Sequence, residues 1–402
     1  MNKQVLIAGG GIGGLAAAIA AARADWDVRL FERAPQFSEV GAGIQLGPNV
    51  VRRLQAWQLQ KMLQQVIAVP QALRACSAIN GQELGRLPLG MEAVHRYGAA
   101  YATIHRADLH SVLLQGLMRM PSVHLNRNQG VQSFTEQDGV VTIHTSQGKV
   151  IEGDALIAAD GVHSSLREQL LHDGAPRATG HLAYRALVHQ AQLPKRLRTQ
   201  EVTAWLGPKL HAIQYPVRRG ELQNLVVIVQ GPAPEDLNQW DHAANLPDLL
   251  QHLQGTCSYL QDLVQHVPEA GGEWRLWPVA DRPAISSPVQ MAQGLVGLLG
   301  DAAHPMRPYL AQGAGMAIED ASELERALSM HDLDVSLRLR RYALNRWQRN
   351  ARVQERSLRN GRIFHATGLV RFGRDWSLRM LGSHLMDVPW LYRGEGSVTA
   401  QL

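Results

Sequence analysis

Four short stretches of this 402-residue chain carry residues whose types and spacing could do chemistry. The first is Gly9-x-Gly11-x-x-Gly14, set directly after the aliphatic run Gln4 to Ala8 and before alanine-rich Leu15 to Arg23. Glycine at the first two positions lets backbone N–H groups approach a pyrophosphate at a helix N-terminus, and the third lets the helix pack closely on the strand. A second strand, Val28 to Phe31, ends at Glu32, where a carboxylate accepts hydrogen bonds from ribose hydroxyls. Together these predict a dinucleotide site without separating a nicotinamide from a flavin. The second and third stretches each end an apolar strand with an aspartate: "LIAADGVHSSLR", with Asp160, Ser164 and Arg167, and "LLGDAAHPMRPYLAQGAG", with Asp301. The fourth is "GPKLHAIQYPVRRGE", where His211 and Tyr215 stand four apart on an expected strand and so share one face of it. A histidine can take a proton near neutral pH and a tyrosine can hydrogen-bond the same oxygen, although an isolated pair at this spacing is more often structural.

Elements must deliver these residues. Each aspartate follows an expected strand, Ala155 to Ala159 or Leu295 to Leu299, and so falls at the carboxyl edge of a sheet, where ligands bind in open α/β folds. Most of the chain separates the three nucleotide motifs, so the domain that holds them is discontinuous. Strands over Val202 to Leu206, Leu210 to Val217 and Leu222 to Val229, the last two joined by "RRGE", would combine with Ala75 to Arg86 and Tyr184 to His189 into a second sheet. The segment Arg338 to Arg362, with nine arginines among spaced Leu337, Leu339, Leu344, Trp347 and Val353, reads as a long amphipathic helix with a solvated basic face.

Composition narrows the function classes. With 45% hydrophobic and 19% charged residues the chain is of ordinary globular type, neither disordered nor collagen-like. A formal charge of +5, from 40 basic against 35 acidic residues, does not support a nucleic-acid partner. Cys76 and Cys257 supply neither a metal cluster nor a disulfide framework, and favour a reducing compartment. The N-terminus has the outline of a signal peptide, but five glycines within Gly9 to Gly14 would break its apolar helix. No other stretch approaches the ~20 apolar residues of a membrane span. The expectation is a cytoplasmic protein without a membrane partner.

The three nucleotide motifs, in this order, resemble those of the group A flavoprotein aromatic hydroxylases, the single-component monooxygenases with the para-hydroxybenzoate hydroxylase fold. The resemblance covers nearly the whole chain. It implies FAD as cofactor, NADH or NADPH as co-substrate, and a small aromatic acid and O2 as reactants. Gly9, Gly11, Gly14 and Glu32 would hold the ADP half of FAD, with Arg106 near the pyrophosphate. Asp160, Gly161 and Arg167 match the motif tied to both flavin and reduced nicotinamide, and Asp301 the aspartate that binds the ribityl chain. The helix starting near Gly313 would point its positive end at the flavin ring. No second Rossmann fingerprint appears, as in a family whose nicotinamide has no dedicated domain.

On the same footing the His211/Tyr215 segment is similar to that of the 3-hydroxybenzoate 6-hydroxylases and the 6-hydroxynicotinate 3-monooxygenases, where the pair contacts the substrate oxygen, and Tyr101 resembles a further pocket tyrosine. One departure is Pro308, where the 3-hydroxybenzoate enzymes usually carry glutamine; proline offers neither N–H nor polar side chain. That feature leans toward the salicylate and hydroxynicotinate hydroxylases, whereas Tyr215 leans away from the salicylate group. The expected fold is α/β, with an FAD-binding Rossmann-like domain over 1–75, 103–178 and 279–335, a β-sheet substrate domain over 76–102 and 179–278, and a C-terminal helical region over 336–402. The expected activity is hydroxylation of a hydroxylated aromatic acid, 3-hydroxybenzoate to gentisate first, by a monomer or homodimer. A flavin-dependent halogenase is disfavoured because "WRLWP" has its tryptophans at the wrong spacing, and a non-catalytic flavin-binding sensor is the other rival.

Overall fold

The computed structural model describes residues 3–37, 42–232, 242–243 and 246–394. The end of the expected C-terminal region, 395–402, lies outside them. Val5, Leu6 and Ile7 have no exposure, as strand residues covered on both faces must. Their strand, Gln4–Ala8, pairs in parallel with Asp27–Phe31 on one side and Ala155–Ala158 on the other. Val123–Asn126 extends the first side and Val296–Leu298 the second, both in parallel, and Ala292–Gln293 closes one edge antiparallel. The strand order reverses at Gln4–Ala8, the kind of switch point at which doubly wound sheets open a ligand crevice. The mixed α/β class and Rossmann-like arrangement expected from the sequence are present.

The chain divides into two compact units: Met1–Val40, Ala107–Arg177 and Ala280–Leu358 form one, and Gly41–Arg106, Ala178–Val279 and Arg359–Leu402 the other. Relative to the expected boundaries, the second unit also takes in the stretch after Gly41 and the one after Arg359. Local pairing explains both. Gly43–Leu46 pairs with Ala102–His105, Ala72–Ser77 pairs with Val202–Gly207, and the helix Gly368–Met386 packs on the strand Glu83–Pro88.

The second unit is built on an eight-stranded sheet in which Arg177–His189, Leu222–Gln230, Leu210–Val217 and Val202–Gly207 are successive neighbours. One face, with Tyr184, Ala212, Leu225 and Val227, packs against Leu260, Leu263, Val264 and Val267 of the helix Ser258–Glu269. The opposite face carries Arg185, His211, Tyr215 and Asn224, because side chains alternate along a strand and paired residues share a face. The expected single strand Ala75 to Arg86 is two, Ala72–Ser77 and Glu83–Pro88, folded on each other.

The arginine-rich helix runs over Val335–Phe364, but its basic face is not uniformly solvated. Arg338, Arg346 and Arg349 are buried, while Arg340, Arg341, Arg352, Arg359 and Arg362 are exposed. The amphipathic helix is present, but its arginine face is not wholly solvated as expected, since Glu319 and Asp320 of a neighbouring helix make burial of two of these cations tolerable. Among the described residues no helix is long and apolar enough to cross a membrane.

The glycine turn sets a sharp test. A Cβ on Gly14 would lie 1.8 Å from the Gly9 carbonyl oxygen, whereas one on Gly373 would meet nothing within 4 Å. Gly14→Ala should therefore cost about 1–3 kcal/mol through overpacking and lower the melting temperature by several degrees, with Gly373→Ala showing no loss. Equal melting temperatures for Gly14→Ala and wild type would show that the turn tolerates the added carbon.

Candidate functional site: two clusters of motif residues

Four strands of the parallel sheet end in motif residues on one edge: Ala8 leads into Gly9, Phe31 into Glu32, Ala158 toward Asp160, and Leu298 toward Gly300 and Asp301. Gly9 takes φ of +101°, a conformation that favours glycine, and a side chain there would strike the Ala159 carbonyl. The Glu32 carboxylate accepts from the Gly10 N–H at 2.6 Å and from the Ala34 N–H at 2.8 Å, which fixes it across the glycine turn. From behind, His110 Nε2 donates to the Gly10 carbonyl at 2.8 Å. Gly11 caps the helix Ile12–Arg23 without a side-chain bond, leaving its N–H groups to an incoming acceptor.

Asp160 is raised from the ordinary carboxylate range by burial, against the opposing pull of the Ser164 hydroxyl and nearby backbone N–H groups. Its Oδ1 is buried with no hydrogen-bond partner. A buried acceptor of this kind suits a ligand donor, and together with the open helix end and the crowded glycine turn it fits the dinucleotide FAD. Arg167, expected to face cofactor, turns inward instead. It is 2% exposed, donates to Asp173 from Nε at 2.8 Å and to the carbonyls of Ala302 and Ala303 from Nη1, and so fastens the Asp160 motif to the Asp301 turn.

That turn, Gly300–Ala302, is held from beneath by Asp320. Its Oδ2 accepts from the Gly300 N–H at 3.2 Å and from His304 Nε2, while Oδ1 accepts from Arg346 Nε at 2.8 Å and Asn350 Nδ2 at 2.9 Å. Burial alone would raise this carboxyl, but His304 and Arg346 outweigh it and hold the group well below the usual range. Gly313, first residue of the helix Gly313–Leu328, lies beside Asp301: a Cβ on it would be 3.7 Å from Asp301 Oδ1. Pro308 opens the short turn Pro308–Leu310 and is half-buried; the preceding Arg307 is anchored to Asp281 at 2.6 Å.

In the second unit the sequence-expected residues separate into two groups. Tyr215 lies close enough to act on the ionisation of both Tyr101 and Arg185, and Arg106, which begins the helix Arg106–Leu117, acts on Arg185. Burial pushes both phenols up, so each is a hydrogen-bond donor at neutral pH and not a base. Tyr101 donates to Gln45, and Asn224, the strand partner of Tyr215, accepts at Oδ1 from the Gly43 N–H at 2.6 Å. His211 belongs elsewhere on the same face. Four residues of strand set its Cα about 13 Å from that of Tyr215, and its ring packs with Phe364 and His365, Nδ1 sharing a proton with His365 Nε2 at 2.8 Å. Burial, then His365 and His181, depress its pKa well below the ordinary value, so the ring is neutral and a weaker base than the sequence suggested.

Several residues escaped the sequence reading. Gly43 needs to be glycine because a Cβ would come within 2.6 Å of the Tyr215 ring, and Asp320 and His304 both lie inside "GDAAHPMRPYLAQGAGMAIEDA", where spacing alone could have suggested a pair. Arg185, Asn224 and His365 had no local signal.

Comparison with known proteins agrees with this geometry. Residues 2–364 match the family model described as an FAD binding domain. The chain is 38% identical over 394 residues to a 3-hydroxybenzoate 6-hydroxylase of Polaromonas naphthalenivorans, spanning 97% of this chain and 96% of that protein. It is 36% identical over 357 residues to a 6-hydroxynicotinate 3-monooxygenase of Bordetella bronchiseptica, spanning 88% and 90%. A solved salicylate hydroxylase substrate complex superposes with a TM-score of 0.81 at 25% identity, covering 98% of this chain and 96% of that one.

The two buried imidazoles set an acid limit on stability. His365 is lowered to about 3, by burial first and then by His181 and Arg374, and burial, then His365 and His181, lower His211 well below its ordinary value. Folded and unfolded chains bind the same protons at these sites above pH ~6.5; below it the unfolded chain gains protons that the folded one refuses, so stability falls as pH drops toward 3. His365 should remove about 2 kcal/mol by pH 5, and His211 acts in the same direction. Urea midpoints at pH 7 and pH 5 should converge in His365→Gln relative to wild type, and an unchanged difference between the two midpoints would count against the neutral pair.

Proposed function

The chain belongs to the FAD-binding-domain family and is an FAD-dependent aromatic monooxygenase, and within that class we propose that it hydroxylates a small hydroxylated aromatic acid, with 3-hydroxybenzoate to gentisate as the leading reaction. The overall change consumes the acid, O2, NAD(P)H and one proton and yields the hydroxylated acid, NAD(P)+ and water. Bound FAD supplies the electron transfer and oxygen activation. The observation that carries the reading is the arrival of Gly9, Glu32, Asp160 and Asp301 on one edge of the parallel sheet.

In this reading the N–H groups at Gly11 and the glycines Gly9 and Gly14 take the pyrophosphate, with Arg106 contributing charge, and Glu32 takes a ribose hydroxyl. Asp160 Oδ1 accepts a further cofactor donor, Asp301 binds the ribityl chain, and the helix beginning at Gly313 turns its positive end to the ring. Arg167 keeps the two aspartate turns in register. On the sheet face, Tyr215 donates a hydrogen bond to the ring oxygen of the substrate with Tyr101 nearby, while His211, expected to take its proton, is held by His365 and Phe364 farther along the strand. The unit with the parallel sheet is the FAD-binding part and the unit with the eight-stranded sheet the substrate-binding part. The protein acts in the cytoplasm as a monomer or homodimer.

A 6-hydroxynicotinate substrate is the second reading, favoured by Pro308 and by the relative from Bordetella. FAD-loaded protein should be assayed for NADH consumption and product with 3-hydroxybenzoate, salicylate and 6-hydroxynicotinate. The leading reading expects gentisate in proportion to NADH, and about tenfold or greater loss of kcat in Tyr215→Phe with FAD content kept, the size of effect of one lost catalytic hydrogen bond. Coupled product from 6-hydroxynicotinate alone would move the assignment to it, and no response to any of the three would leave a flavin-binding sensor.

A further inference from the structure

Among the described residues Arg185 is a cation without a paired anion. It lies on the substrate face of the sheet, in register with Val226 and Ile213 across two strand pairs, which puts its Cα about 10 Å across and about 7 Å along the sheet from that of Tyr215. Its guanidinium stacks on Trp277, 3.8 Å from the ring centroid, so the plane is held while its edge stays directed. Nε is buried and makes no hydrogen bond. The charged or ionisable groups that act on it are the Tyr215 phenol and a second cation, Arg106; burial is the larger influence and brings the guanidinium down to about 10. Among the described residues no carboxylate pairs with it, although Arg74, Arg86, Arg167, Arg282, Arg307, Arg346 and Arg349 each have one. A half-buried, stacked guanidinium with a buried, unpartnered Nε and another cation beside it is costly unless an anion arrives to share its donors.

We propose that Arg185 binds the carboxylate of the aromatic acid, through the planar fork that pairs with carboxylates, while Tyr215 reaches the hydroxylated position of the same ring. This rests on the hydroxylase reading and names the anchor that reading lacks. A carboxylate arriving at Nε gives the guanidinium its missing acceptor, and the Trp277 stack restricts the fork to one plane. The selectivity that follows is for acids over their uncharged analogues.

The test titrates FAD-loaded wild type, Arg185→Gln and Arg185→Lys with 3-hydroxybenzoate and with 3-hydroxybenzyl alcohol, reading the change in flavin absorbance. Wild type should prefer the acid. Arg185→Gln should weaken acid binding by about 10- to 100-fold, the size of a charge-assisted hydrogen bond, and change alcohol binding by less than about threefold. Arg185→Lys, which keeps the charge and loses the fork, should fall between. Equal weakening of both ligands, loss of FAD from Arg185→Gln, or a wild type with no preference for the acid would each overturn the proposal. Product analysis on the same wild-type protein separates the two levels: an acid preference without hydroxylated product would refute the reaction and leave Arg185 as the carboxylate site.

Discussion

Asp320 is a carboxylate with no exposure, surrounded by four donors from two segments of chain. Taking such a charge out of water is expensive, and it is tolerated only because the Gly300 N–H, His304, Arg346 and Asn350 replace the lost hydration. Glu319 next to it does the same for Arg349, which reaches it from both Nε and Nη2. The result is a polar knot between the helix Gly313–Leu328 and the long helix Val335–Phe364, placed directly under the turn that presents Asp301. Gly300 takes φ of +62° there, so the turn bends sharply where its N–H meets the carboxylate. A purely apolar contact between the helices could be as stable, but it would not hold one backbone N–H in one direction.

The first unit was legible because its signals are local. A glycine turn needs its glycines within six residues, and a strand that ends in an aspartate shows both features in one short window. Asp160 and Asp301 could be placed at a sheet edge without knowing which strands were neighbours. Two inferences exceeded what local pattern supports. Arg167 was assigned to cofactor because its motif is, yet its donors go to Asp173 and to the backbone of a turn 135 residues away. The basic helix looked solvated because its partners, Glu319 and Asp320, lie on another element.

The second unit was less legible, and strand geometry explains why. His211 and Tyr215 do share a face, as period-two alternation requires, but the same geometry sets them about 13 Å apart, with different neighbours at each end. Tyr215 meets Asn224 and Gly43, whereas His211 meets Phe364 and His365 at the end of a helix far along the chain. Burial then changes their chemistry in opposite senses: the phenol keeps its proton more firmly and the imidazole releases its own. Nothing in the residue types reports this, because it depends on which side chains exclude water. Arg185 was invisible for a related reason, since an arginine in a strand says nothing until its lack of a counter-charge is seen.

The turn that carries Asp301 depends most on Asp320, which holds the Gly300 N–H. The direct test of this dependence is the FAD dissociation constant of Asp320→Asn, an isosteric change that keeps the shape of the side chain and removes its charge, compared with wild type under conditions where both remain folded. A rise of at least about tenfold is expected, the effect of loosening one strong charge-assisted contact on a bound group. An unchanged dissociation constant would contradict the claim that this buried carboxylate sets the cofactor side of the site.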